Sequence, residues 1–257
     1  MKKFLKYINS IPFPFSMKHY QVFGDKALDS PQSWDALRLN HPHFSISPNR
    51  EEWLSASELL VKKDGQDGGL IERARGVTEL LKREGIERVF SLGVGGAALE
   101  YQMKKMMPGV KIVCSDYSTV TVETLKKVFL KCDEIVFFDL MKDDWVAANK
   151  KYLGHNALCL MYRIDASMSD GEWHSIFKTL HGAGVEKVLY IPTGMLTVLS
   201  VYNRKWREIK WFFKGVKKRW SGYVRTKKRF EQYWRGLYGQ EELALGGLRS
   251  FFLTRKD

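Results

Sequence analysis

Gly93 and Gly95 stand in the run Val89-Phe90-Ser91-Leu92-Gly93-Val94-Gly95-Gly96-Ala97, where an apolar stretch passes through glycines into a helical pattern. Glycine belongs where backbone turns sharply and meets a ligand with no Cβ between, and the helix start beyond it offers unpaired amides. Asp116 lies 21 residues beyond Gly95, directly after the next apolar run, where a carboxylate can accept both hydroxyls of a ribose. Asp139 follows the third run in the same way. Each feature also has a plain use, glycine for close packing and Asp as a turn or helix cap. Three of them at three successive strand ends point to a nucleoside.

The elements that must position these residues alternate. Short apolar runs at Arg88 to Leu92, Lys111 to Ser115, Glu134 to Phe138, Ala157 to Tyr162 and Lys187 to Ile191 are separated by helical patterns at Ala97 to Met107, Val120 to Lys131, a weaker one after Asp143, and Glu172 to His181. Ser169 with Glu172 makes a capping box for the last helix. A further amphipathic helix, Leu70 to Arg83, precedes the first run. This order predicts a parallel sheet with helices on both faces, whose ligands bind outside the carboxyl ends of the strands. Residues 1–69 hold five of the seven prolines and read as an extension with short helices, one around Glu51 to Val61.

The glycine loop, the acidic ends Cys114-Ser115-Asp116-Tyr117 and Phe137-Phe138-Asp139-Leu140, and the tail Gly222 to Thr226, a helix to Leu237 and Arg249 to Thr254 together resemble the class I S-adenosylmethionine-dependent methyltransferases. The resemblance runs from about residue 70 to the end. It implies a Rossmann-like seven-stranded sheet, mostly parallel with an antiparallel last strand, over 70–257, and an extension over 1–69 that covers the acceptor side. It implies S-adenosylmethionine as cofactor and a cofactor site of Ser91, Gly93, Val94, Gly95, Asp116, Tyr117, Asp139, Leu140 and Tyr162. Asp116 would hold the ribose, Asp139 and Leu140 the adenine. Two departures stand out. Ser91 occupies a position where the family usually has an acid for the cofactor's amino group. The fourth strand ends Met161-Tyr162-Arg163-Ile164-Asp165 and lacks the Asn/Asp-Pro-Pro-aromatic signature of base-amino methylation. The spacing Gly93, Gly95, Ala98 also fits a dinucleotide site, so an NAD(P)-dependent oxidoreductase is the second reading, and a non-catalytic membrane or RNA adaptor the third. Methyl transfer from a sulfonium asks mainly for alignment, so no catalytic residue need be evident; Asp165 or His19 is the candidate base for a hydroxyl acceptor.

Net charge is +13, yet residues 200–235 carry thirteen basic and two acidic residues, so the remainder is nearly neutral. Ten aromatic residues lie in the same segment. Val198, Tyr202, Trp206, Ile209, Phe213, Val216 and Trp220 recur at helical spacing, which predicts a basic, aromatic helical insertion at about 194–221. Such a helix either packs on the sheet or meets an anionic membrane or RNA; the expected acceptor is anionic, or linked to a lipid or glycan. Cys114, Cys132 and Cys159 form no CxxC pair, and His41-Pro42-His43 lacks a third ligand nearby, so no metal is expected. With no signal peptide or membrane-spanning run, the expected location is cytoplasmic, with contact to a membrane only from its side.

Overall fold

A computed structural model of the chain describes residues 15–21, 30–41, 44–63, 69–217 and 219–257. The elements in order are β1 (Met17–Gln21), α1 (Pro31–Asn40), α2 (Arg50–Lys63), α3 (Gly69–Arg83), β2 (Arg88–Leu92), α4 (Ala98–Met106), β3 (Lys111–Asp116), α5 (Thr119–Val128), β4 (Glu134–Phe137) and α6 (Trp145–Ala148). Then come a π turn (Asn149–Leu153), β5 (Ala157–Tyr162), α7 (Asp170–Gly182), β6 (Lys187–Ile191), α8 (Val198–Phe213), β7 (Arg219–Val224), α9 (Lys227–Trp234), β8 (Tyr238–Leu245) and β9 (Leu248–Arg255).

Two-residue alternation along the strands divides the core between two faces of one sheet. Val89, Leu158, Leu160, Leu189 and Ile191 enter one buried cluster, completed by α3, α4 and α5. Their neighbours Phe90, Cys159, Met161, Val188 and Tyr190 enter the other, completed by α6, α7 and α9. The seven strands run β4-β3-β2-β5-β6-β9-β8, with β2 to β6 parallel and β9 antiparallel to both neighbours. Chain order therefore reverses direction between β2 and β5, the place where an open α/β sheet leaves a crevice at its carboxyl edge. The capping box at α7 forms as expected: the Ser169 amide donates to Glu172 (2.6 Å) and the Glu172 amide to Ser169 Oγ (3.3 Å).

The insertion departs from its expected form. The helix stops at Phe213, because Gly215 takes φ +62° and its amide donates to the Phe212 carbonyl while that of Val216 donates to Trp211. These are the paired bonds of a Schellman motif, for which glycine is suited. Residues 219–224 leave the helical stripe and form β7, antiparallel to β1 in a separate two-stranded ribbon with Trp220 opposite Tyr20. Packing on the sheet is also excluded for the stripe, since no residue of α8 is buried.

Trp173 on α7 is fully buried, with ring centroids 5.3 Å from Tyr190, 6.0 Å from Phe177 and 6.4 Å from Tyr233. Its replacement by alanine leaves a cavity that these rings cannot close, and the expected loss is about 3–5 kcal/mol, read from urea unfolding.

Candidate functional site

Local structure at the end of β2 is governed by three left-handed residues: Gly93 at φ +61°, Gly95 at +54° and Ala97, the N-cap of α4, at +55°. The loop is tied to β3 at each step. The Val94 amide donates to the Ser115 carbonyl (3.1 Å), Ser115 Oγ to the Ser91 carbonyl (3.0 Å), and the Gly95 amide to Asp116 Oδ2 (2.9 Å). Asp116 Oδ1 accepts the Ser118 amide at 2.9 Å. The carboxylate is 6% exposed; burial raises its pKa, and the two amides together with the Arg38 guanidinium oppose that shift.

Ser91 is fully buried and donates its hydroxyl to Glu100 Oε1 at 2.6 Å. Glu100 lies in the first turn of α4, so an acid reaches the end of β2 from the following helix although the strand itself carries none. Burial pushes the Glu100 carboxyl up to about 7, against the hydrogen bond from Ser91, and Asp116 adds to the rise. Neither its spacing nor its type marked Glu100 in the sequence; an acid in the first turn after a glycine loop is the only signal.

The N-terminal helices close over this edge. Asp35 on α1 accepts from Ser118 Oγ (2.5 Å) and Thr119 Oγ1 (2.9 Å) at the start of α5. Arg38 lies 3.0 Å from where a Gly95 Cβ would stand, feels the charge of Asp116 and Tyr117, and donates through Nη1 to the Phe44 carbonyl (2.7 Å). Its Nε is buried without an acceptor, as is Trp34 Nε1. On α2, Trp53 donates to the Gly96 carbonyl (2.9 Å). From the far side of the crevice Ile164 reaches 2.6 Å from the absent Cβ of Gly93, carried there by Arg163 in a left-handed conformation at φ +59°.

The remaining sequence candidates spread outward from this centre. Tyr117 is half-buried beside Arg38. Asp139 caps its own turn, accepting the Met141 amide (3.0 Å), and is approached by Lys142 at 3.3 Å. The Leu140 carbonyl accepts Trp145 Nε1 (3.1 Å), and Tyr162 accepts Arg73 Nη1 (2.9 Å). Asp165 is 1% exposed and accepts the Thr193 amide at 2.6 Å, which joins the ends of β5 and β6. His19 lies in β1 opposite Gly222, and its side chain is outside the described residues, as are Pro42 and His43. Among the described residues no group of three His, Cys, Asp or Glu could hold a metal.

No family model and no curated protein matches the sequence. Solved structures match its fold. Human N-acetylserotonin methyltransferase in complex with SAM is 16% identical at TM-score 0.51, covering 89% of this chain and 72% of that one. PigF with SAH is 12% identical at TM-score 0.54, covering 88% and 67%. An O-methyltransferase family protein from Burkholderia thailandensis is 12% identical at TM-score 0.52, covering 94% and 65%. The fold is that of the class I S-adenosylmethionine-dependent methyltransferases. This chain spans only about half the length of some other matched structures, 51% in the case of the pyocyanin biosynthetic protein PhzM. In the methyltransferase fold the carboxyl edge of β2 to β5 is where the buried acids of this chain gather.

Glu100 carries a stability signature. Between its ordinary value of 4.5 and about 7 the unfolded chain releases the proton while the folded chain keeps it, so this group lowers stability as pH rises through that window. Glu100→Gln is expected to gain on the order of 3 kcal/mol over the parent at pH 8, with the gain vanishing near pH 4.5, in paired urea titrations.

Proposed function

We propose that this chain binds S-adenosylmethionine at the carboxyl edge of β2, β3 and β4 and transfers its methyl group to an acceptor that is anionic, or linked to a lipid or glycan. The observation that carries the reading is the left-handed Gly93–Gly95 turn at the reversal of chain order, with its Gly95 amide held by the buried Asp116 carboxylate. The residues present fit the cofactor. Asp116 uses one acceptor site on each oxygen for an amide, which leaves capacity for two ribose hydroxyls. Ser91 and Glu100 set a carboxyl where an amino group would lie, and the orphaned Arg38 Nε is a donor for a carboxylate. Asp139, Leu140 and Tyr117 stand at the adjoining strand ends for the adenine, and Tyr162 stands across the crevice.

When bound, the cofactor supplies a methyl group already activated on a positively charged sulfur, so the protein's task is alignment and exclusion of water. Ile164 and the α1 helix wall the crevice for that purpose. The matched O-methyltransferase family protein from Burkholderia thailandensis supports a hydroxyl as the receiving group. A dinucleotide reading finds less support, because β9 enters the sheet antiparallel between β6 and β8, whereas the dinucleotide order ends on a parallel strand.

Titration calorimetry with S-adenosylmethionine and its demethylated product tests the reading. Saturable binding is expected. Asp116→Ala removes two charge-assisted bonds and should weaken it by about 2–4 kcal/mol, roughly 30- to 1000-fold. Asp116→Asn, which keeps the side-chain shape, serves where the alanine variant unfolds. No heat with either compound, alone or beside saturable NAD binding, would remove the proposal.

A further inference from the structure

Among the described residues, helix α8 presents an apolar face that enters neither core cluster. Val201, Arg204, Glu208 and Trp211 recur at helical spacing and are its half-buried side. The adjoining side is open to solvent: Tyr202 is 64% exposed, Trp206 50%, Ile209 44%, Phe212 80% and Phe213 81%. At 100° per residue Val198 and these five side chains fall within an arc of about 120°. Lys210 borders the arc, and Arg207 and Lys214 lie beyond it. Between 198 and 217 there are six basic residues and one acidic one, and that acid, Glu208, is engaged by Lys205 at 3.3 Å. Cationic groups also sit over the aromatic rings, Lys210 5.6 Å from Trp206 and Arg207 5.0 Å from Trp211.

Apolar and aromatic side chains on one side, with lysine and arginine along the flank and almost no acid, form the pattern of a helix lying in a bilayer interface. Trp and Tyr partition to headgroup depth, and basic residues near the surface are drawn by anionic lipid. RNA binding would use basic residues interleaved with stacking rings along a groove. Here the rings and aliphatic chains share one convex helical face with Val198 and Ile209, which offer nothing to a base. No helix among the described residues is long and apolar enough to cross a membrane, so contact would be lateral.

We propose that α8 seats its aromatic face in the interface of an anionic lipid bilayer, with Lys210, Lys214 and Lys217 at the lipid headgroups. The helix follows β6 and so leaves the sheet at the same carboxyl edge as Gly93 and Asp116. Docking there brings that edge toward the membrane surface. The inference stands on the helix alone and holds whether or not the methyl-transfer reading does.

Flotation of the full chain with vesicles of phosphatidylcholine, alone or with about a third phosphatidylglycerol, tests it. Binding to the anionic vesicles only is expected, falling as salt rises. Phe212→Ala/Phe213→Ala should weaken it at least about tenfold, and each of Lys210→Gln and Lys214→Gln about fivefold. These positions are exposed, and an unchanged far-ultraviolet dichroism spectrum controls for folding. Failure to float with anionic vesicles at low salt overturns the proposal, as does equal binding to the neutral ones. Aromatic-dependent retention of a single-stranded RNA oligonucleotide without vesicle binding would assign the face to RNA. A shift from dimer to monomer in the Phe variant, with flotation unchanged, would assign it to a second copy of the chain.

Discussion

One carboxylate sets the shape of the ligand edge. Asp116 ends β3, and its two oxygens fix two amides, that of Gly95 on the neighbouring loop and that of Ser118 at the start of α5. Left-handed backbone at a non-glycine residue such as Ala97 costs on the order of 1–3 kcal/mol and persists only where surrounding bonds over-determine it. Here they do. The Ala97 amide returns to the Val94 carbonyl (2.9 Å), Val94 is bonded to β3, and Trp53 holds the Gly96 carbonyl from above. The loop is thus clamped from the sheet below and from the N-terminal helices above, and Asp116 is the charged group that bonds it from the sheet.

Charge at this edge is unbalanced. Glu100 and Asp116 are both almost wholly buried; the charge of Asp116 raises the cost of ionising Glu100, and that of Asp35 raises the cost of ionising Asp116. Arg38 is the nearby cation, and burial lowers its own pKa. Buried acids that outnumber the cation beside them favour an incoming group with positive charge, which offsets the cost of ionising them. An ammonium and a sulfonium are such groups; a pyrophosphate is the opposite. These electrostatics fit the proposed methyl donor better than a dinucleotide.

The sheet was legible because its strands are short apolar runs separated by helices with regular stripes, and both signals are local. Gly93, Gly95 and Asp116 were legible for the same reason, their spacing being fixed by one strand-turn-helix unit. Glu100 was hidden because its relevance depends on a side-chain contact with Ser91, which no periodicity encodes. Asp35 and Arg38 were hidden more deeply: they reach their partners across 83 residues to Ser118 and across the fold to Gly95. Gly215 lies inside the 194–221 stretch that the sequence reads as helical; only its positive φ shows it to be a stop. The β1–β7 ribbon pairs Met17 with Val224, a partnership so distant in sequence that strand propensity alone could not suggest it.

The exposure of α8 follows from what the rest of the chain has already filled. Among the described residues one face of the sheet is covered by α3, α4 and α5 and the other by α6, α7 and α9, and α8 enters the core of neither. The half-buried side of α8 carries Arg204 and Glu208, which suits a surface contact and not a sheet. Its aromatic side must then face outward, and each large apolar residue left in water forgoes about 1.5–3 kcal/mol of burial. A chain whose remaining charge is nearly balanced concentrates both that apolar cost and its cationic excess on the same stretch. Either property alone has a structural explanation. Their coincidence on α8 and the residues that follow it, beyond the carboxyl edge of β6, is explained by the proposed seat on a surface that is itself apolar beneath and negative above.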